Sequence, residues 1–412
     1  MISSNIPKLS VQERIDAARE EAKFLVQEID RTRASTQDAQ LIEISSNVPT
    51  LNRVTYLKPY QSLRGHGNKI SSVRWSNDSR QILSASQDGF MIIWDATTAM
   101  KVNAIPLSSP WVLACAYSPN GRMVASGGLD NACTLYRISH ESIDHSRTGE
   151  SGYGMVGGLT QNIVSVFKGH TAYISGCEFL SENFTLTSSG DMTCALWDVS
   201  RGSRVREFMD HLGDVLCLAV PQSQHGSQSF VSGASDGYIR LWDIRQRAPA
   251  QSHFVAHSDI NCMKFFPDAN SLATGSDDGS IRLFDFRADC QLASYTLPRT
   301  LRNSSYGKAN FPMATPQPQY AQCWQGSYVS DIESLASETD TQSVSSLDFS
   351  ASGRMLYGCI GDYGCVIFDT LRTDAVGKLE GHSNRVNMVS CSPDGMAVCT
   401  ASWDSTIKIW SI

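Results

Sequence analysis

An Asp followed six residues later by an aromatic returns seven times in this chain: Asp88/Trp94, Asp130/Tyr136, Asp191/Trp197, Asp236/Trp242, Asp278/Phe284, Asp362/Phe368 and Asp404/Trp410. The steps from one Asp to the next are 42, 61, 45, 42, 84 and 42 residues. The 61-residue step exceeds 42 by 19 and the 84-residue step exceeds it by 42, so one unit of about 42 residues repeats with two insertions. A period of roughly 40–45 residues is the signature of four-stranded propeller blades.

Other residue types recur at fixed places in the unit. Five units open with a His: His66, His170, His211, His257 and His382. Four residues before each turn Asp stands Ser84, Ser126, Thr187, Ser232, Thr274 or Thr400, with Gly358 in the sixth unit. Apolar, β-branched runs such as Ile92-Ile93 and Ile407-Lys-Ile409 lie between Asp-Gly, Pro-Asp-Gly and Pro-Asn-Gly turns, which reads as short strands. The expected fold is all-β, a seven-bladed β-propeller of WD repeats. His, Ser/Thr, Asp and Trp form an expected buried hydrogen-bond relay, the Asp accepting from the His ring and the hydroxyl and indole completing the network. A Ser-His-Asp catalytic triad is the rival reading. One active site does not recur at a fixed period, and units two and six lack the His, so the relay is read as structural and no enzymatic activity is expected.

Length and charge narrow the classes further. Of 412 residues, seven blades account for roughly 290 as one domain. The composition, 18% charged and 41% hydrophobic, suits a globular protein. A net charge of −7 argues against nucleic acid as the main partner, because phosphate binding wants a basic field. The 12 Cys show no zinc-ligand spacing and read as small buried hydrophobes in a reducing compartment. No metal or cofactor is expected. Neither a signal core nor a membrane-length apolar run is present, so membrane attachment is expected only through lipidated partners.

The non-repeating segments carry their own signals. Residues 1–52 read as an N-terminal helix with a connector, and 53–412 as the ring, with insertions at about 139–162 and 298–342. Ser10-Val-Gln-Glu13 is a capping box that opens a helix over 10–33. Val11, Ile15, Ala18, Ala22, Leu25 and Ile29 follow heptad spacing. Such a stripe must be covered, either by the side of the ring or by a second helix in a coiled coil, and the small Ala18 and Ala22 favour a close helical neighbour. Apolar alternation at 53–63 predicts an N-terminal strand that closes the ring on the last blade. The second insertion holds Ser330, Ser334, Ser337, Thr339 and Thr341 among acidic residues, candidates for phosphorylation in a segment read as disordered.

The layout resembles the heterotrimeric G-protein β subunit, and local stretches resemble it more specifically. They include Leu63-Arg-Gly-His66, Ser84-Ala-Ser-Gln-Asp-Gly89, Asn103-Ala-Ile-Pro-Leu107, Gly127-Gly-Leu-Asp-Asn131, Cys194-Ala-Leu-Trp-Asp198, Ala273-Thr-Gly-Ser-Asp-Asp278 and Ser402-Trp-Asp-Ser405. They run from the first blade to the last. The long insertion and Phe90 look like the fungal mating-pathway branch. The resemblance implies an obligate γ subunit on the helical stripe, a GDP-bound α subunit on one end of the ring, and effector or scaffold proteins on that same surface. The matching α and effector positions are Lys69, Ile92, Lys101, Trp111, Leu113, Leu129, Asn131, Tyr173, Asp214, Asp259, Asp277 and Trp403. It also implies the cytoplasmic face of the plasma membrane and a pheromone-response MAP-kinase cascade. Gly67 and Phe90 depart from animal relatives on the implied α face. One alternative is a substrate receptor of a cullin-type ubiquitin ligase, from the WD-x-Arg-like Trp242-Asp-Ile-Arg245 and Phe284-Asp-Phe-Arg287. Another is a scaffold that shares only the fold.

Overall fold

Seven sheets of four antiparallel strands each follow the repeat unit for unit. The computed structural model describes residues 19–28, 31, 45, 48–51, 57–138, 163–221, 228–297 and 342–411. The first blade runs Ile70–Trp75, Gln81–Ser86, Phe90–Asp95 and Lys101–Pro106, from the channel outward. The last takes three strands from the chain's end, Val386–Cys391, Ala397–Ser402 and Thr406–Ser411, and its fourth from Lys58–Arg64. That strand pairs antiparallel with Thr406–Ser411, Leu63 opposite Ile407, so the expected N-terminal closing strand is present.

Both faces of a blade are buried, which explains why the strands read as apolar runs instead of strict alternation. Ile92 and Trp94 join Leu63, Cys399 and Ile407 in the cluster between blades seven and one. Ile93 and Met91 point the other way, to Val112, Val124 and Tyr136 of blade two. Adjacent residues of one strand thus feed different interfaces, as a period of two requires. Seven such clusters, one between each neighbouring pair of blades, make up the core. Small residues let the blades meet: a Cβ on Gly127 would fall 2.6 Å from the Ile174 Cγ2 of the next blade.

The relay is complete in blades one, three, four and seven. His66 Nδ1 lies 2.8 Å from Asp88 Oδ2, His66 Nε2 2.7 Å from Ser84 Oγ, and Trp94 Nε1 donates to the same hydroxyl at 2.8 Å. A carboxylate only accepts and an indole only donates, so the imidazole donates from Nδ1 and accepts the Ser84 proton at Nε2. His170, Asp191, Thr187 and Trp197 repeat this, as do His382, Asp404, Thr400 and Trp410. In blade four the buried Arg240 joins the network, reaching Asp236 at 2.9 Å and Asp210 at 2.6 Å.

Blade five departs from the expectation. His257 is exposed and packs edge-on against Phe254, while Asp278 takes Arg282 at 2.8 Å. Phe284 has no N–H to offer, and the Thr274 hydroxyl lies 3.4 Å from the Arg282 carbonyl. Blade six replaces the polar centre with packing: a Cβ on Gly358 would meet Ile281 Cδ1 at 2.8 Å, and Tyr295 stacks edge-on against Phe368.

The described helical residues 19–28 are all exposed, Ala22 and Leu25 included, so that stretch is not packed on the ring. Phe24, Leu25 and Val26 are 63%, 50% and 56% exposed. Val11, Ile15, Ala18 and Ile29 lie outside the described residues, as do Ser330, Ser334, Ser337, Thr339 and Thr341. Among the described residues no helix is long and apolar enough to cross a membrane.

Asp404→Ala is expected to lower the melting temperature, with a loss of roughly 1–3 kcal/mol from the donors left unpaired in blade seven. An unchanged calorimetric melt would remove the relay as a source of stability there. Acid acts in the same direction. Burial pushes the His382 imidazole below its ordinary value, so its contribution is complete above about pH 6.5 and declines as pH falls. Burial alone would raise Asp404, but hydrogen bonds from Thr406, His382 and the Ser383 amide bring it down to about 2. Its contribution is complete above the ordinary carboxylate range and is lost as pH falls toward about 2. Melting temperatures measured from pH 7 to pH 3 should therefore fall steadily, and less steeply in Asp404→Ala.

Candidate functional site

One backbone hydrogen bond recurs in every blade and defines one end of the ring. The residue just before the turn Asp donates its N–H to the carbonyl of the residue leading into the innermost strand. The pairs are Gln87 to Lys69, Leu129 to Trp111, Gly190 to Tyr173, Ser235 to Asp214, Asp277 to Asp259, Gly361 to Ser343 and Trp403 to Arg385, all at 2.9–3.0 Å. Each bond joins the start of the first strand to the turn after the second, so all seven pairs crown the same end.

Eight of the twelve positions implied by the family resemblance fall on this crown. Lys69, Trp111, Tyr173, Asp214 and Asp259 lead into inner strands, and Leu129, Asp277 and Trp403 occupy the turns. Asn131 sits just past the second turn with φ 57°, and its Nδ2 donates to the Thr171 carbonyl of blade three at 3.2 Å. Leu113 is half-buried, two residues into the inner strand from Trp111. Lys101 starts the outer strand of blade one and donates to the Gly65 carbonyl at 3.2 Å. Ile92 is a correction. It is 3% exposed and packed between blades seven and one, because the alternation that turns Ile93 to blade two turns Ile92 to blade seven.

The crown has an ordered distribution of chemistry. Trp111 and Leu129, joined through their backbones, are 55% and 50% exposed. Lys69 Nζ lies 4.0 Å from the Trp403 ring centroid, with the Arg385 guanidinium at 5.3 Å. Across the ring Asp214, Asp259 and Asp277 form an acidic arc. Tyr173 donates to Asp214 Oδ2 at 2.9 Å; burial, that bond and the charges of Asp214 and Asp259 push its phenol up to about 12. Large aromatics with flanking charges are the composition of a protein-binding hot spot.

Ser343 and Arg385 complete the seven residues that lead into inner strands, and the family resemblance did not include them. Arg385 Nη2 donates to Ser343 Oγ at 3.0 Å, tying blade seven to blade six. The signal was available: in five blades the residue leading into the inner strand lies 19 positions before the turn Asp, and Ser343 and Arg385 are among them. Gly67 is exposed and donates its N–H to Asp88 Oδ2 at 2.9 Å, while Phe90 is 42% exposed at the start of its strand.

Other places offer less. The channel holds a cavity of about 380 Å³ whose charges face one another, Arg74 with Glu178 and Lys264 with Asp348. Arg245 and Arg287 are exposed, but each folds back on the Asp two residues before it. Among the described residues no group of three His, Cys, Asp or Glu is placed to hold a metal.

A family model described as G protein beta WD-40 repeat protein matches residues 12–302. The chain belongs to this G-protein β family. A second model, described as WD domain, G-beta repeat, matches residues 374–411, which hold the outer strand of blade six and three strands of the last blade. The chain is 48% identical over 411 residues to the guanine nucleotide-binding protein subunit beta of Saccharomyces cerevisiae, spanning 97% of this chain and 91% of that one. It is 37% identical over 397 residues to the guanine nucleotide-binding protein G(I)/G(S)/G(T) subunit beta-1 of Homarus americanus, spanning 96% and 99%. The β-family chain is thus a WD-repeat signalling protein of a non-enzymatic family.

Proposed function

We propose that this β-family chain pairs through its N-terminal helix with a γ subunit and holds a GDP-loaded α subunit on the crown. When GTP remodels the α subunit, the freed crown recruits effector or scaffold proteins. The long second insertion and Phe90, which resemble the fungal mating-pathway branch, favour a pheromone-response MAP-kinase cascade as the output. Attachment to the cytoplasmic face of the plasma membrane is assigned to lipid on the partner subunits. The observation that carries this reading is the half-exposed Trp111–Leu129 pair beside a charged, aromatic crown, in a chain of this family.

The domain roles follow the same proposal: residues 1–52 serve γ pairing and 53–412 the α subunit and effectors. Exposure of Ala22 and Leu25, the described members of the heptad stripe, supports a partner for the helix, since an apolar stripe left in water gains nothing from being helical. Purifying the protein with GDP and again with a non-hydrolysable GTP analogue tests the proposal as a whole. An α subunit retained equally in both would sink it.

Two variants separate the surfaces. Ile15→Asp with Leu25→Asp puts unpaired charge into the proposed helical seam, which is costly. This double variant should lose γ and its membrane fraction; co-purification with γ at wild-type stoichiometry would refute the helix assignment. Trp111→Ala should leave folding and γ pairing intact while weakening GDP-bound α by ~2 kcal/mol or more, as truncating an aromatic anchor does. Titration of the purified βγ pair against GDP-bound α reads this as a loss of roughly thirtyfold or more in affinity. Equal affinity would remove Trp111 from the surface.

A further inference from the structure

Five blades end their third strand in an Asp that caps the following turn. Asp95, Asp198, Asp243, Asp285 and Asp369 accept the N–H two residues on, at 2.8–3.0 Å. The side chains of Asp198, Asp243 and Asp285 keep 13–18% of their surface in water, whereas that of Asp369 keeps 1%. The turn of blade six is covered, and the hydrogen bonds name two residues that bring the cover in.

Arg354 Nη2 pairs with Asp369 Oδ2 at 2.8 Å and also donates to the Pro49 carbonyl at 3.3 Å. Arg372, within the turn itself, donates from Nη2 to the Ser45 carbonyl at 3.3 Å and the Val48 carbonyl at 3.1 Å. Val48 N–H closes a turn on the Ser45 carbonyl at 3.4 Å. Two guanidinium groups thus hold three backbone carbonyls of the connector between the helix and the ring. Every acceptor is main chain, so the grip depends on the connector's path and not on its side chains. Arg201 is the internal control. It stands three residues after Asp198 as Arg372 stands three after Asp369, yet its side chain is 81% exposed and reaches only its own Asp at 3.7 Å.

The turn after the third strand lies at the opposite end of a blade from the turn after the second, because neighbouring strands run antiparallel. We infer that Arg372, assisted by Arg354, is a positioning residue that clasps the connector to the end of blade six opposite the crown. The clasp fixes the point at which the chain departs for the helix, on the far side of the ring from Trp111 and Trp403. It is independent of which partner occupies either surface.

Hydrogen exchange on the full-length chain, in the complex in which it is purified, tests the clasp. Arg372→Ala should speed exchange of the amides between 45 and 51 by tenfold or more, leaving the strand Gly364–Asp369 unchanged. Arg372→Lys, which keeps charge and reach, should recover part of that protection. Arg201→Ala should leave the connector as in the wild type. Unchanged exchange at 45–51 in Arg372→Ala would overturn the inference, and so would an equal rise in Arg201→Ala. A simultaneous loss of protection in Gly364–Asp369 would also overturn it, since that marks loosening of the whole blade. Should Arg372→Ala fail to fold, Arg372→Gln is read by the same criteria.

Discussion

Every blade of this ring is apolar on both faces, so no blade can stand at an end. A stack of seven would expose one face of the first and one of the last, each as apolar as the clusters between Ile93 and Val112 or between Ile260 and Val231. Closure removes both faces and both edges together. It depends on one pairing, Lys58–Arg64 with Thr406–Ser411, which completes the seventh sheet and seats Leu63 among Ile70, Trp94 and Ile407. The crown inherits its geometry from that closure. Lys69 lies over Trp403 because blade one has been brought beside blade seven.

In blades one, three, four and seven the relay fixes the third strand against the second and the loop that precedes the first. It is built from groups that leave no donor idle: a carboxylate that accepts, an imidazole in one tautomer, a hydroxyl that accepts from indole and gives to imidazole. The variants in blades five and six show what the position requires. Where Phe284 stands in place of indole, Asp278 pairs with Arg282, and where Phe368 does, Gly358 takes the hydroxyl position and the centre is filled with carbon. Polar satisfaction is thus kept by substituting whole sets of residues.

Much of this was legible in the sequence because it repeats. Seven Asp–aromatic pairs at one spacing give the number of blades, and the apolar run before the first Gly-His gives the closing strand. What escaped was decided between blades. His257 matches its counterparts in the sequence, yet Asp278 pairs with Arg282 and His257 packs on Phe254 instead. Ile92 matched a surface position by resemblance, but the strand alternation that buries it becomes unambiguous only with blade seven in place. Arg385 and Ser343 share a register with Lys69 and Trp111, 19 positions before the turn Asp, but not a residue type. The clasp of Arg372 on Ser45 and Val48 joins main-chain atoms to a distant arginine, which no pattern of side chains announces.

The closing strand also sets a problem of timing. Leu63 and its partner Ile407 are 344 residues apart. At usual elongation rates the first waits on the order of 20 to 70 s for the second to be made. Through that interval the completed blades have an unpaired edge and an uncovered apolar face, the condition under which nascent chains stick to one another. Deleting Lys58–Arg64 or Thr406–Ser411 would leave that edge open for good.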